Sequence, residues 1–175
     1  VLMSMMHGMK NVGVWSEELG VNLLDTGAHF YDTYETADGK FVSIGSIEPQ
    51  FYAELRRLAG LEEDKAFDAQ HDRSQWGVLK DKLTALFKTK TRDEWCAIME
   101  MTDVCFAPIL SLSEAPQHPH NVERETFLTV GGAVQPAPAP RYSATVNDTP
   151  RPAPTVGADG EAVLAGLGYD TTKIA

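Results

Sequence analysis

The chain has 175 residues, of which 43% are hydrophobic and 23% charged, the balance of an ordinary folded domain. Its 15 basic residues face 25 acidic ones, for a formal net charge of −10. Such a surface repels nucleic acid and anionic lipid, and it holds the phosphates of a nucleotide poorly by itself. No apolar run approaches the roughly 18 residues that a membrane span needs, so neither nucleic acid nor membrane is expected as a partner. Residues 1–9, VLMSMMHGM, are apolar but lack a basic flank and a cleavage site. They read as a chain that begins in the middle of a helix, as a fragment would, and not as a signal peptide. The two cysteines, Cys96 and Cys105, match no metal or redox spacing. Two such thiols suit a reducing compartment, and a cytoplasmic location is the expectation.

Leu2, Met5, Met6, Met9 and Val12 fall at helical spacing, which predicts a helix over 1–15. Residues 28–36 and 40–47 are rich in aromatic and β-branched side chains and flank Ala37-Asp38-Gly39, the signal of a β-hairpin. Pro49 suits a first helical position; Phe51, Tyr52, Leu55 and Leu58 make the apolar stripe, and Gly60 the stop. A second helix is predicted over 74–87, with Trp76, Leu79, Leu83 and Leu86 on one face. Thr91 and Glu94 form a capping box that opens a third, with Trp95, Ile98 and Met99 inward. Residues 104–110 predict a short buried strand that Pro108 confines to an edge or a bulge. A short helix near Ser113 and a strand over 127–130 follow.

The texture changes at Gly131. Residues 131–158 are dense in Pro, Gly and Ala and predict an extended connection. Residues 159–168 return to helix, with Asp159 as N-cap and Gly168 as stop. The expected fold is α+β. Residues 1–24 are a helix and connection, 25–130 a small domain of hairpin, short antiparallel sheet and packed helices, 131–158 a linker, and 159–175 a terminal helix and tail with little core of its own.

Glu48 stands between a strand end and a helix start. A carboxylate there either complements the helix N-terminus or is presented for chemistry. Asp25 and Asp32 read as loop caps. The cluster of Met3, Met5, Met6 and Met9 reads as core filling or as a tolerant apolar groove. His118 and His120 flank Pro119, and His7, His29 and His71 are isolated, so no metal site is expected. There is no Gly-rich phosphate loop, nucleophile motif or dinucleotide fingerprint.

Three stretches carry a resemblance. They are NLLDTGAHFYDTYETADGKFVSIGSIEPQFY (22–52), TRDEW with the later TDVCFAPIL (91–95 and 102–110), and GADGEAVLAGLGYDTTKI near the end. Together they resemble the α-methylacyl-CoA racemases of the family III CoA-transferase superfamily, in their C-terminal half. The resemblance implies a cofactor-independent enzyme that inverts the α-carbon of 2-methylacyl-CoA thioesters. It implies a Rossmann-like large domain to which the terminal helix belongs, and an interlocked homodimer whose active site lies between the large domain of one subunit and the small domain of the other. The His and Asp that exchange the proton have no counterpart in this sequence, so the piece alone is expected to be inactive. By the same resemblance Glu48 reaches the catalytic imidazole and Tyr31 lines the thioester pocket. Ile47 and Gln50 shape its wall, and Met5, Met6 and Met9 meet the acyl tail. The terminal helix is expected to dock on a second copy or on the Met-rich helix. Two other outcomes stay open: a CoA-transferase working through an Asp anhydride, and a non-catalytic dimerisation module.

Overall fold

The computed structural model describes residues 1–170, so the last five positions of the expected tail lie outside the described residues. The chain divides into two compact units, Val1–Leu110 and the residues from Ser111 on. In the first unit the elements are α1 (Ser4–Asn11), β1 (Tyr31–Glu35), β2 (Phe41–Gly45), α2 (Pro49–Leu58), a 3-10 turn (Lys65–Ala69), α3 (Trp76–Phe87), α4 (Arg92–Met99) and β3 (Phe106–Ile109). The three strands form one antiparallel sheet in the order β1-β2-β3.

The predicted hairpin is present. Tyr31 pairs with Gly45 and Glu35 with Phe41. Gly39 takes φ +73°, and Thr36 and Lys40 close the turn with a 2.8 Å backbone bond. Alternation along β2 sends Val42 and Ile44 into the core, where Leu55 of α2 and Leu79, Leu83 and Phe87 of α3 also lie. Tyr34 stacks on Phe87 with ring centroids 5.0 Å apart, and Trp95 meets Phe87 edge-on at 5.1 Å. The capping box at Thr91 and Glu94 is formed in full. Among the described residues β3 is an edge strand bonded to β2 alone, and Pro108 stands opposite Val42. Arg92, on the buried face of α4, anchors that edge through a 2.9 Å bond from Nη1 to the Ile109 carbonyl.

α1 is shorter than its apolar pattern and has no buried residue; Val1, Leu2, Met3, Met5 and Val12 are exposed. Among the described residues no helix is long and apolar enough to cross a membrane.

The second unit holds a 3-10 turn (Ala115–Gln117), α5 (Pro119–Glu123), β4 (Phe127–Val130), β5 (Ala133–Pro136) and α6 (Gly160–Gly166). Here the structure departs from the pattern. β4 pairs with β5 in a second two-stranded antiparallel sheet, so the Pro-rich stretch opens on a strand. Gly131 and Gly132, both at positive φ, make the turn that brings the strands together. The division between the units falls after Leu110, and Phe127–Val130 therefore pairs downstream within its own unit. Asp159 precedes α6 with helical-region backbone (φ −97°, ψ −1°), not the extended backbone of a capping residue, and makes no side-chain cap bond. α6 buries none of its residues.

Candidate functional site

β2 ends at Gly45 and α2 begins at Pro49, so three residues carry the chain from sheet to helix. Their backbone is pinned from several sides. The Ser46 N–H donates to the Phe30 carbonyl at 3.0 Å, and the Ser46 hydroxyl donates to the Val104 carbonyl at 2.5 Å. Gln70 Nε2 donates to both the Ser46 carbonyl (3.1 Å) and the Ile47 carbonyl (2.9 Å). The Tyr52 N–H closes the first helical turn onto the Glu48 carbonyl at 3.0 Å.

Glu48 is the N-cap of this helix, with extended backbone (φ −71°, ψ 145°). Its side chain makes no cap hydrogen bond and is exposed. The helix start is instead furnished by Pro49, which has no N–H to satisfy. The carboxylate is thus carried on a fixed backbone and is not consumed by its own helix. Asp25, by contrast, caps its loop, accepting from the Asn22 N–H (2.6 Å) and side-chain amide (2.7 Å). Burial alone would raise its pKa; the hydrogen bonds from Asn22, Gly20 and Gly27 prevail and hold it below the usual range. Asp32 accepts from the Thr33 N–H at 2.7 Å and pairs with Lys80 at 2.7 Å.

Tyr31 is half-buried and lines a hollow of about 320 Å³ with Thr26, Ser43, Gly45 and Cys105. A Cβ at Gly45 would lie 3.7 Å from the Tyr31 ring, at ordinary van der Waals contact, so the ring packs directly over this end of β2. Cys105 has positive φ (58°), and its carbonyl accepts from the Gly45 N–H at 2.9 Å. Its thiol is pushed up by burial first, then by the charges of Glu48 and Asp103. Tyr31, Cys105 and Glu48 therefore gather around the Gly45 end of the sheet.

The other expected residues are spread more widely. Ile47 is half-buried against the core, and Gln50 is exposed on the first turn of α2. Met5 is exposed; Met6 and Met9 are half-buried on α1. Met9 lines a separate apolar hollow of about 270 Å³ with Trp15, Leu23, Leu24 and Trp76. That hollow and the one at Tyr31 share no lining residue. Sequence reasoning passed over Gln70 and read His29 only as an isolated histidine. His29 is fully buried, its Nε2 sharing a 2.8 Å hydrogen bond with the Tyr52 hydroxyl, while its backbone carbonyl accepts from the Tyr34 hydroxyl at 2.6 Å. Nothing local in the sequence marks either residue, because their partners lie on other elements.

The alpha-methylacyl-CoA racemase of Mus musculus is 40% identical to this chain over 175 residues, and that of Homo sapiens 37% over 178. Each alignment takes in 99% of this chain and 46% of the relative, so the chain spans about half the length of the curated relatives it matches. Among solved structures, the hypothetical protein Rv3272 of Mycobacterium tuberculosis superposes with a TM-score of 0.63 over 93% of this chain and 43% of that one, at 22% identity. At that identity the likeness is one of fold. The sequence profile of CoA-transferase family III matches residues 2–160, a span that includes the Glu48 junction, the Tyr31 hollow and both sheets, and the chain belongs to that family.

Proposed function

We propose that this chain forms the substrate-facing small half of an α-methylacyl-CoA racemase, and that Glu48 is the carboxylate it presents to the imidazole that moves the proton. The exposed, uncapped carboxylate of Glu48 on a pinned strand-to-helix junction is the observation that carries this reading. Identity to two racemases along the whole chain supports the substrate class. In the reaction a base takes the proton from the carbon next to the thioester carbonyl and leaves an enolate. Nearby dipoles stabilise the enolate, and a proton returns on the opposite face. A carboxylate on the imidazole fixes its tautomer and favours its protonated form. The His and Asp of the proton exchange, and the basic groups for the phosphates of CoA, belong in this proposal to the large domain. Tyr31 and Ile47 flank the thioester, Gln50 extends that wall, and Met5, Met6 and Met9 receive the acyl tail. The complete enzyme works as a homodimer.

The test is the complete protein in heavy water with a single enantiomer of a 2-methylacyl-CoA. The expected result is deuterium at the α-carbon with loss of optical purity. Glu48→Gln lowers turnover about tenfold to a thousandfold while KM changes little. Residues 1–175 alone give no exchange above buffer. Transfer of CoA to a free carboxylate without α-exchange would replace the racemase reading with the transferase one.

A further inference from the structure

Residues 46–48 leave the sheet before the helix begins, so their carbonyls have no ladder or helical partner of their own until Glu48 accepts from Tyr52. Ser46 is fully buried, so its carbonyl needs a partner from within the protein. One side chain solves this. The carboxamide of Gln70 has two N–H bonds on one nitrogen, and that nitrogen lies 3.1 Å from the Ser46 carbonyl and 2.9 Å from that of Ile47. Gln70 is itself held. It follows the Lys65–Ala69 turn, is 8% exposed, and its own carbonyl accepts from Trp76 Nε1 at 2.8 Å. A continuous line of hydrogen bonds thus runs from α3 through Gln70 to the two peptide units before Glu48.

We infer that Gln70 is a positioning residue for Glu48: its amide fixes the carbonyls of Ser46 and Ile47, and so the direction in which the Glu48 carboxylate leaves the sheet. The inference rests on the role proposed for Glu48. Gln70 lines neither the Tyr31 hollow nor the Met9 hollow, and its side-chain nitrogen bonds to backbone carbonyls, so its effect on the reaction passes through the main chain. A charged partner of a proton-moving imidazole must be held to within about 0.5 Å, and a misplacement of about 1 Å costs on the order of a hundredfold in rate. Release of both carbonyls at once removes the restraint nearest to Glu48 on its N-terminal side.

Three variants of the complete enzyme test this. Gln70→Met keeps the length of the side chain and removes both donors. Its kcat should fall about tenfold to a hundredfold, with KM for a 2-methylacyl-CoA within about twofold of wild type. In a Glu48→Gln background the same change should have little further effect, because the carboxylate it serves is gone. Gln70→Glu covers the case in which Gln70→Met does not fold. Its carboxylate cannot donate to a carbonyl, but its protonated form restores one donor. The ratio of its kcat to that of wild type should therefore rise as pH falls. A wild-type kcat in Gln70→Met, beside a lowered one in Glu48→Gln, overturns the positioning role and leaves the Glu48 reading intact. Additive losses in the double variant, or a pH-independent ratio in Gln70→Glu, also overturn it by showing a general structural role. A wild-type kcat in Glu48→Gln removes the Glu48 reading and this inference with it.

Discussion

The Tyr52 hydroxyl lies 2.8 Å from Nε2 of His29, and the other ring nitrogen of that histidine is buried without a hydrogen-bond partner among the described residues. The bond ties the first turn of α2 to the residues that lead into β1. Burial first, then the positive charges of His71 and Lys80, lowers the His29 pKa from 6.5 to about 4. The folded protein therefore keeps His29 neutral, while the unfolded chain takes up a proton near pH 6.5. Between those two values the unfolded state binds more protons, so stability falls as pH drops through that window and levels off below it. The loss from this one group should be about 3 kcal/mol. Urea denaturation at pH 7 and pH 4 measures it. His29→Phe, which keeps a ring among the same aromatic neighbours, should show a smaller difference between the two pH values. An unchanged difference would assign the acid sensitivity elsewhere.

Tyr52→Phe removes only an oxygen. It leaves both His29 nitrogens without a partner in a buried, aromatic surrounding, at a cost of about 1–3 kcal/mol. The midpoint of thermal unfolding should drop accordingly. An unchanged midpoint would show that His29 finds another partner.

Gly27 cannot carry a side chain. An added Cβ would sit 2.5 Å from the Asn22 carbonyl oxygen and 2.7 Å from the Asn22 nitrogen, both of them backbone atoms. Asn22 is fully buried and held by Ser16 and Asp25, so the loop has nowhere to retreat. Gly27→Ala should destabilise by more than about 2 kcal/mol. It should also loosen Leu23 and Leu24 at the Met9 hollow. Denaturant titration, with tryptophan emission as a local probe of Trp15 and Trp76, checks both effects.

If α1 meets the acyl tail, changing Met6 and Met9 together to threonine removes polarizable apolar surface from the groove alone. KM should rise for long-chain 2-methylacyl-CoA and stay near wild type for short-chain substrates, with kcat little changed. Burial of each methylene contributes about 0.8 kcal/mol. Steady-state kinetics across a chain-length series gives the answer. Equal effects at every length would move the tail to another surface.

The elements legible in the sequence are those whose cause is local. Ala37-Asp38-Gly39 supplies its own turn, Thr91 and Glu94 supply each other's cap, and Pro108 excludes itself from the middle of a sheet. β5 was hidden because Pro and Ala around it mask a strand, although the paired glycines before it carry the turn signal. Gln70 has its partners 23 and 24 residues away, and its value arises only when the fold delivers two carbonyls to one amide. Glu48 was visible as a residue at a junction. That its carboxylate makes no cap bond depends on side-chain direction, which spacing does not encode.

Pro108 has a further consequence at the outer rim of the first sheet. Cys105 and Ala107 stand opposite Gly45 and Ser43, and the Gly45 N–H bonds to the Cys105 carbonyl, so alternation puts Pro108 and Val42 in a pair whose amide groups point away from each other. At this position an ordinary residue would offer its N–H outward, to any passing strand. Proline has none to offer, and the ring occupies the space an incoming backbone would need. The short, apolar β3 is thereby left with one outward donor fewer for pairing with another strand. Replacing Pro108 with threonine would complete the row of outward donors along this rim.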